Sequence, residues 1–275
     1  MAIKNPVLEI IKAHAYGNDF LFVREDETVG YDPASLARDL CRRHTGVGAD
    51  GLIVYRLTPT GASMRLFNAD GSYSEVSGNG VRCLAAIVVQ GRAGAGGAPR
   101  GQAEPIVIDT DAGPKVLELL GVEDGRYLFR ASMGQPTALR ELDLEAAGER
   151  VRVVALRVGN PQCVVLGAPL SDSRHRSLGP ALERHPAFPE GTNVEFAEVV
   201  PPRLVRILIW ERGVGPTEAS GTGACAAAVA AAAFGGAPRD VEVESPGGIQ
   251  RVEWRADGLF LTGWARIVLT GAWHA

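Results

Sequence analysis

Short runs of β-branched and apolar residues, set between clusters of Gly, Asn, Asp and Pro, dominate this chain. They predict strands at Leu21 to Arg24, Leu52 to Tyr55, Ile106 to Asp109, Val151 to Val154, Cys163 to Leu166, Leu204 to Trp210 and Val241 to Glu244. Helical signals are fewer. Asp32 to His44 opens on Asp-Pro, Leu178 to Arg184 lies between Ser177 and Pro186, and Gly80 to Gln90 and Gly223 to Phe234 are apolar stretches that follow glycine turns. The balance predicts a mixed α/β protein with a minority of helix.

The pattern is written twice. Ser77-Gly78-Asn79-Gly80 and Ser220-Gly221-Thr222-Gly223 each run into an apolar, helix-compatible stretch, 143 positions apart (77 to 220). Near that offset Asn68 meets Glu211, Gly48 and Asp50 meet Gly191 and Asn193, and Gly17-Asn18 meets Gly159-Asn160. Ile106 to Gly113 then resembles Val241 to Gly248 at an offset of 135 (106 to 241), so the first copy carries about eight extra residues. The Gly-rich stretch 91–101 accounts for them, and its composition predicts a flexible loop. So long a period excludes a solenoid and predicts two duplicated domains, with a seam near Gly125 to Met133.

Composition narrows the class of partner. The chain has 275 residues, 46% hydrophobic and 22% charged, with a net charge of −4, which favours a globular protein and weighs against nucleic acid or an anionic membrane as a partner. The opening residues lack a signal-peptide pattern, and the longest apolar run, Ala224 to Phe234, is too short to span a bilayer, so a cytoplasmic protein without a membrane segment is expected. Cys41, Cys83, Cys163 and Cys225 are scattered and predict buried free thiols. No histidine pairs with another or with a carboxylate at a metal-ligand spacing, so no metal is expected.

A Ser-Gly-x-Gly turn feeding a helix places unpaired backbone N–H groups and the positive end of a helix dipole beside the serine. Such a start binds a carboxylate or phosphate, and two of them could hold one anion. Neither copy continues as Gly-x-Gly-x-x-Gly, which weighs against a dinucleotide. Asn18, Asn68, Asn160 and Asn193 lie in turn-rich contexts, and Glu211-Arg212 follows an apolar run. Any one such asparagine ordinarily serves a turn. Their shared register with the serines favours a site instead, and donors, acceptors, a glutamate and an arginine together suit an amino acid ligand.

Gly17-Asn18-Asp19-Phe20, Phe67 to Ser72, Gly78 to Cys83, Gly159-Asn160-Pro161, Trp210 to Gly213 and Gly221 to Cys225 together resemble, in order and over nearly the whole chain, the motifs of the diaminopimelate epimerases. The resemblance implies two pseudo-symmetric α/β domains, each a β-barrel-like sheet around a central helix, with the ligand in a cleft between them. It places the domains at 1–126, with 264–275 packing back on the first, and 127–263. It implies a homodimer that inverts one stereocentre of diaminopimelate without a cofactor, for lysine and peptidoglycan synthesis. The family's acid and base positions fall on Ser77 and Ser220, where cysteine is usual. Asn68, Asn160, Asn193, Glu211 and Arg212 would hold the distal end of the substrate, with Asn18 near the reaction centre. The amides around Gly78, Asn79, Gly221 and Thr222 would hold the reacting carboxylate.

Gln162 stands where the family has histidine, and Gly51 where glutamine is usual. A thiol has a reference pKa of about 8.5, lowered at a helix start, whereas a serine hydroxyl is a far weaker acid. Three readings are therefore open. One is an epimerase whose serines impair or alter proton transfer. Another is a silent amino-acid-binding homologue, or a form with both cysteines exchanged to trap ligand. The third is a single-base isomerase of the phenazine-biosynthesis type using Glu211. The retained Asn and Glu-Arg set counts against the third.

Overall fold

The computed structural model describes residues 7–94, 104–167 and 170–274. Contacts divide the chain into two units, Met1–Ala131 with Trp264–Ala275, and Ser132–Gly263. The first unit contains β1 (Val7–Ala15), β2 (Asn18–Arg24), α1 (Pro33–Cys41), β3 (Gly51–Leu57), β4 (Gly61–Asn68), β5 (Tyr73–Ser74), α2 (Gly78–Gly94), β6 (Ile106–Asp109), β7 (Lys115–Glu123) and β8 (Arg126–Ser132). Next come β9 (Thr137–Ala146), β10 (Glu149–Val158), β11 (Asn160–Leu166), α3 (Asp172–Glu183), β12 (Asn193–Val200), β13 (Leu204–Glu211), β14 (Gly215–Thr217), α4 (Gly221–Phe234), β15 (Asp240–Ser245) and β16 (Gly248–Arg255). The long β17 (Gly258–His274) ends the described chain and passes from the second unit into the first.

In the first unit the strand pairings close on themselves in the order β1-β2-β3-β4-β6-β7-β8-β17 and back to β1, an eight-stranded barrel. Helix α2 is buried without a break from Asn79 to Val88 and packs on β1, β2, β4, β6 and β7, which places it inside that barrel. A helix apolar on every side has no solvent face to present, so the sheet must wrap it. Helix α1 is amphipathic instead. Asp32 caps it by accepting the Ser35 N–H at 3.0 Å, and Leu36, Ala37, Leu40 and Cys41 pack outside the sheet on Leu21, Val23, Leu52 and Val54.

The second unit repeats the plan. Its strands pair in the order β9-β10-β11-β12-β13-β15-β16-β17, and Met133 and Gly134 exchange backbone hydrogen bonds with Leu259 of β17. Alanine-rich α4 is the enclosed helix, packed against β10, β11, β12, β13, β15 and β16, while α3 lies outside on Val153, Val165 and Phe196. Small side chains let strands approach the α4 backbone closely.

Ladder registers locate the shifts in repeat offset. Phe20 pairs with Gly51 as Gln162 pairs with Asn193, so Asn193 is the counterpart of Gly51 and not of Asp50. Gly51 pairs with Asn68, whereas Val194 pairs with Trp210, so the extra residue of the second copy lies in the β12–β13 hairpin. Gly61 pairs with Val107 as Leu204 pairs with Glu242, which carries 107 onto 242 at the offset of 135. Helix α2 has 17 residues against 14 in α4, so part of the added length is helix. Of the 91–101 stretch expected as a loop, Gly91 to Gly94 finish α2, and 95–101 lie outside the described residues.

Candidate functional site

Each enclosed helix begins at one of the repeated serines. Ser77 Oγ accepts the Gly80 N–H at 3.2 Å and its carbonyl accepts the Val81 N–H at 2.8 Å. Ser220 does the same with the Gly223 N–H at 3.2 Å and the Ala224 N–H at 3.0 Å. Helical geometry gives the N–H groups of Gly78, Asn79, Gly221 and Thr222 no acceptor within their own helix, so each start is a cluster of donors at the positive end of a dipole. The second glycine in each phrase has a packing reason. A Cβ at Gly80 would stand 2.8 Å from Ile53 Cδ1, and one at Gly223 would stand 2.7 Å from Glu195 Oε1.

In the first unit Asn18, Gly78 and Asn79 come together with Ser77. Asn18 bridges inward and outward, donating from Nδ2 to Asp50 at 2.8 Å and accepting from Asn79 Nδ2 at 3.2 Å. Asn79 Oδ1 in turn accepts from Arg82, a buried guanidinium that lies over the Tyr16 ring at 5.5 Å. Arg43 pairs with Asp50 at 2.7 Å, and Lys12 with Asp19 at 2.9 Å, so this half carries its carboxylates as ion pairs. Asn68 stands apart from that chain at the end of β4, where its Nδ2 donates to Ser72 Oγ at 2.9 Å and its backbone closes the turn to Ser72.

In the second unit one network joins Asn160, Asn193, Arg212, Thr222 and Ser220. Asn193 Oδ1 accepts the Arg212 N–H at 2.9 Å, and the Arg212 guanidinium donates to the Glu190 carbonyl at 2.7 Å. One terminus of the buried Gln162 amide lies 2.6 Å from Asn160 Oδ1 and 3.2 Å from both Thr222 Oγ1 and Asn193 Nδ2. Its other terminus lies 2.9 and 3.2 Å from the carboxyl oxygens of Glu195. Thr222 Oγ1 is 3.5 Å from Ser220 Oγ. Glu211 ends β13, close enough for its charge to act on Glu195. Burial and then that charge hold the Glu195 carboxyl well above the usual carboxylate range.

Four residues of this arrangement were not singled out as site residues in the sequence. Asp50 and Arg82 fix Asn18 and Asn79, and Glu195 backs Gln162. Glu183, at the end of α3, accepts the Trp210 indole N–H at 2.8 Å and the Gly213 N–H at 3.0 Å, gripping the Glu211-Arg212 segment from both ends. Asp50 already stood in the repeat register, and Arg82 directly follows the first Ser-Gly-x-Gly phrase and Val81, so both had a signal. Glu183 and Glu195 had none. Among the described residues no His, Cys, Asp or Glu side chains converge in a set of three that could hold a metal ion. No helix among them is long and apolar enough to cross a membrane.

Comparison with known proteins sorts these features. The family model for diaminopimelate epimerase matches residues 10–139 and 154–268, two segments that fall on the two copies. A diaminopimelate epimerase of Desulforudis audaxviator is 43% identical over 97% of this chain and 99% of its own length. One from Pelotomaculum thermopropionicum is 39% identical over 96% and 98%. A probable proline racemase from Agrobacterium radiobacter shares the fold, with a TM-score of 0.69 at 17% identity over 96% of this chain and 92% of that one. So does a phenazine biosynthesis PhzF-family protein from Bacillus anthracis, at 0.63 and 14% over 97% and 99%. Similarity over nearly the full length, at 43% identity, together with the family-model match identifies this chain as a member of the diaminopimelate epimerase family.

Proposed function

We propose that this protein is a cofactor-independent amino acid epimerase of the diaminopimelate type, with Ser77 and Ser220 at its two proton-transfer positions. The observation that carries the reading is the equivalence of the two serines. Each caps an enclosed helix, with its Oγ fixed by the amide three residues on, at the place where a developing carboxylate charge would meet free N–H donors. In this reading the amides of Gly78, Asn79, Gly221 and Thr222 bind the reacting carboxylate. Asn68, Asn160, Asn193, Glu211 and Arg212 bind the distal amino acid end, and Asn18 orients Asn79. One serine, as its alkoxide, takes the α proton and becomes a hydroxyl, and the other gives its hydroxyl proton to the opposite face of the α-carbon and is left as the alkoxide.

Among the described residues no histidine or lysine hydrogen-bonds either serine, which favours slow chemistry over fast and keeps a silent binder as the second reading. The test is solvent exchange at the α-carbon of LL-diaminopimelate in D₂O, with formation of the meso isomer. The parent should exchange slowly, and the Ser77→Cys, Ser220→Cys double variant about 10²- to 10⁴-fold faster, the usual worth of a positioned acid or base. Saturable binding without exchange in either protein would leave only the silent binder. No binding would remove the substrate assignment.

We further infer a homodimer acting in the cytoplasm. Support for self-association comes from exposed Val116, Leu120 and Val122 on β7, Leu128 on β8, and Val268 and Leu269 on β17, apolar side chains on three successive strands. Four free, buried cysteines suit a reducing compartment. Sedimentation equilibrium should give twice the chain mass, and a single-chain mass at micromolar concentration would end the dimer reading.

A further inference from the structure

The two halves differ in what backs their serines. In the first unit Ile53 stands behind Gly80, and the ladder positions of Phe20 and Ile53 carry Gln162 and Glu195 in the second. Apolar residues therefore satisfy this fold at these points, and the second unit has instead a carboxyl with no solvent exposure beside the start of α4. An isolated buried carboxyl is costly unless its hydrogen-bonding is complete, so its partners matter. They form a line: Glu195 carboxyl to Gln162 at 2.9 and 3.2 Å, Gln162 to Thr222 at 3.2 Å, and Thr222 to Ser220 at 3.5 Å.

We propose that Glu195 is a positioning residue for Ser220, acting through Gln162 and Thr222: two arrangements of the Glu195–Gln162 couple set the direction of the hydrogen bond at the Ser220 hydroxyl. The proposal rests on the reading that Ser220 occupies a proton-transfer position. When Glu195 holds a proton, its O–H donates to Gln162 Oε1. Gln162 Nε2 then donates to Asn160 and Thr222, and the Thr222 O–H is left to donate to Ser220 Oγ. With the Gly223 N–H already there, Ser220 Oγ receives two donors, which stabilise its alkoxide, the form that can take a proton. When Glu195 is ionised, the Gln162 amide is turned over, and Nε2 donates to the carboxylate. Oε1 now accepts the Thr222 O–H and Asn193 Nδ2–H, and the Ser220 O–H is drawn to Thr222. A single proton enters or leaves at Glu195; the rest is rotation of two hydroxyls and of two amides, Gln162 and Asn160, the second turning its Nδ2 in place of Oδ1 toward Gln162 Oε1.

Titratable groups acting on Glu195 are Glu211 on β13 and the Cys163 thiol on β11. Burial and the Glu211 charge favour the protonated form, and burial followed by Glu195 keeps the Cys163 thiol protonated as well. Burial therefore weighs toward the protonated arrangement. Asn193 Nδ2, held facing Gln162 because its Oδ1 accepts the Arg212 N–H, favours the ionised arrangement instead.

Two measurements test this without any amino acid ligand. Infrared difference spectra of the parent against Glu195→Gln should show a protonated-carboxyl carbonyl band in the parent that vanishes as the pH is raised. Separately, a Ser220→Cys variant should be titrated by thiolate absorbance with Glu195, Glu195→Gln and Glu195→Ile behind it. Glu195→Gln, whose amide N–H can still donate to Gln162, should keep the thiol pKa of the protonated parent. Glu195→Ile should shift it by about one pH unit, a tenfold change in proton affinity. Absence of the band, or identical thiol titrations in the Glu195 and Glu195→Gln backgrounds at every pH together with no shift in Glu195→Ile, would overturn the proposal. If Glu195→Ile does not fold, the decision falls to the pH at which the band is lost: the thiol titration must show a second step there with Glu195 and none with Glu195→Gln. Failure of diaminopimelate to bind would remove the proposed substrate and leave both readouts intact.

Discussion

Glu195 also makes itself felt in the stability of the protein, with a sign opposite to that of an ordinary ion-paired carboxylate. Its folded value lies above the usual 4.5. Between about pH 4.5 and that folded value the unfolded chain has released a proton that the folded chain keeps, so stability falls as pH rises. Glu195→Gln removes this slope. The melting temperature of the variant relative to the parent should climb as pH is raised from 4.5 and then level off, and a pH-independent difference would show that Glu195 folds ionised. His175, packed against Phe196 and Trp210, works the other way: burial holds it below 6.5, so its contribution is complete above that pH and is lost as pH falls. Comparing variant with parent cancels it. Nothing in the sequence announced Glu195, because a glutamate in an Asn-Val-Glu-Phe run reads as the solvent side of an alternating strand. Here both faces of β12 are covered, one by α4 and one by α3, so alternation no longer reports exposure.

Among the elements, α3 shows how a supporting helix reaches the site. Gly179 lets the Trp210 indole lie directly on the helix, since a Cβ there would meet the ring at 2.7 to 2.9 Å. A rigid ring cannot give way as a flexible side chain can. Gly179→Ala should therefore cost about 1–3 kcal/mol by overpacking, and should also displace the Glu183 grip on Trp210 and Gly213. Thermal melting together with the near-ultraviolet tryptophan signal checks this; an unchanged signal would mean that the ring is not seated there. The sequence located α3 only from Leu178, whereas it begins at Asp172 behind a Ser171 cap, because its first turns, Asp172 to Ser177, carry no apolar stripe. The seven predicted strands all lie within strands of the structure. Strands such as β7 and β9 escaped notice because glutamates, arginines and glycines interrupt them, and they are held by pairing with neighbours more than by burial. The two enclosed helices were plain in the sequence, since an alanine-rich or apolar run after a glycine turn has few other uses.

At the level of the whole chain the duplication was legible because turns and helix starts keep their residues where strands drift. The barrel was not read from the strand pattern: its closure depends on β17 pairing with both β8 and β1, contacts between residues more than a hundred positions apart that leave no local mark. That closure has a consequence for how the protein is made. A nascent chain displays β1 to β8 early, yet the first unit stays open, with β1 and β8 as bare edges, until Trp264 to His274 has left the ribosome. The second unit needs β17 only as far as Gly263 and can finish before the first. Order of synthesis and order of completion are thus reversed, and the earliest-made unit is exposed to aggregation and proteolysis for longest. A chain halted after Gly263 should protect 132–263 from limited proteolysis while 7–131 is cut; equal resistance of both would show that the barrel holds without its last strand.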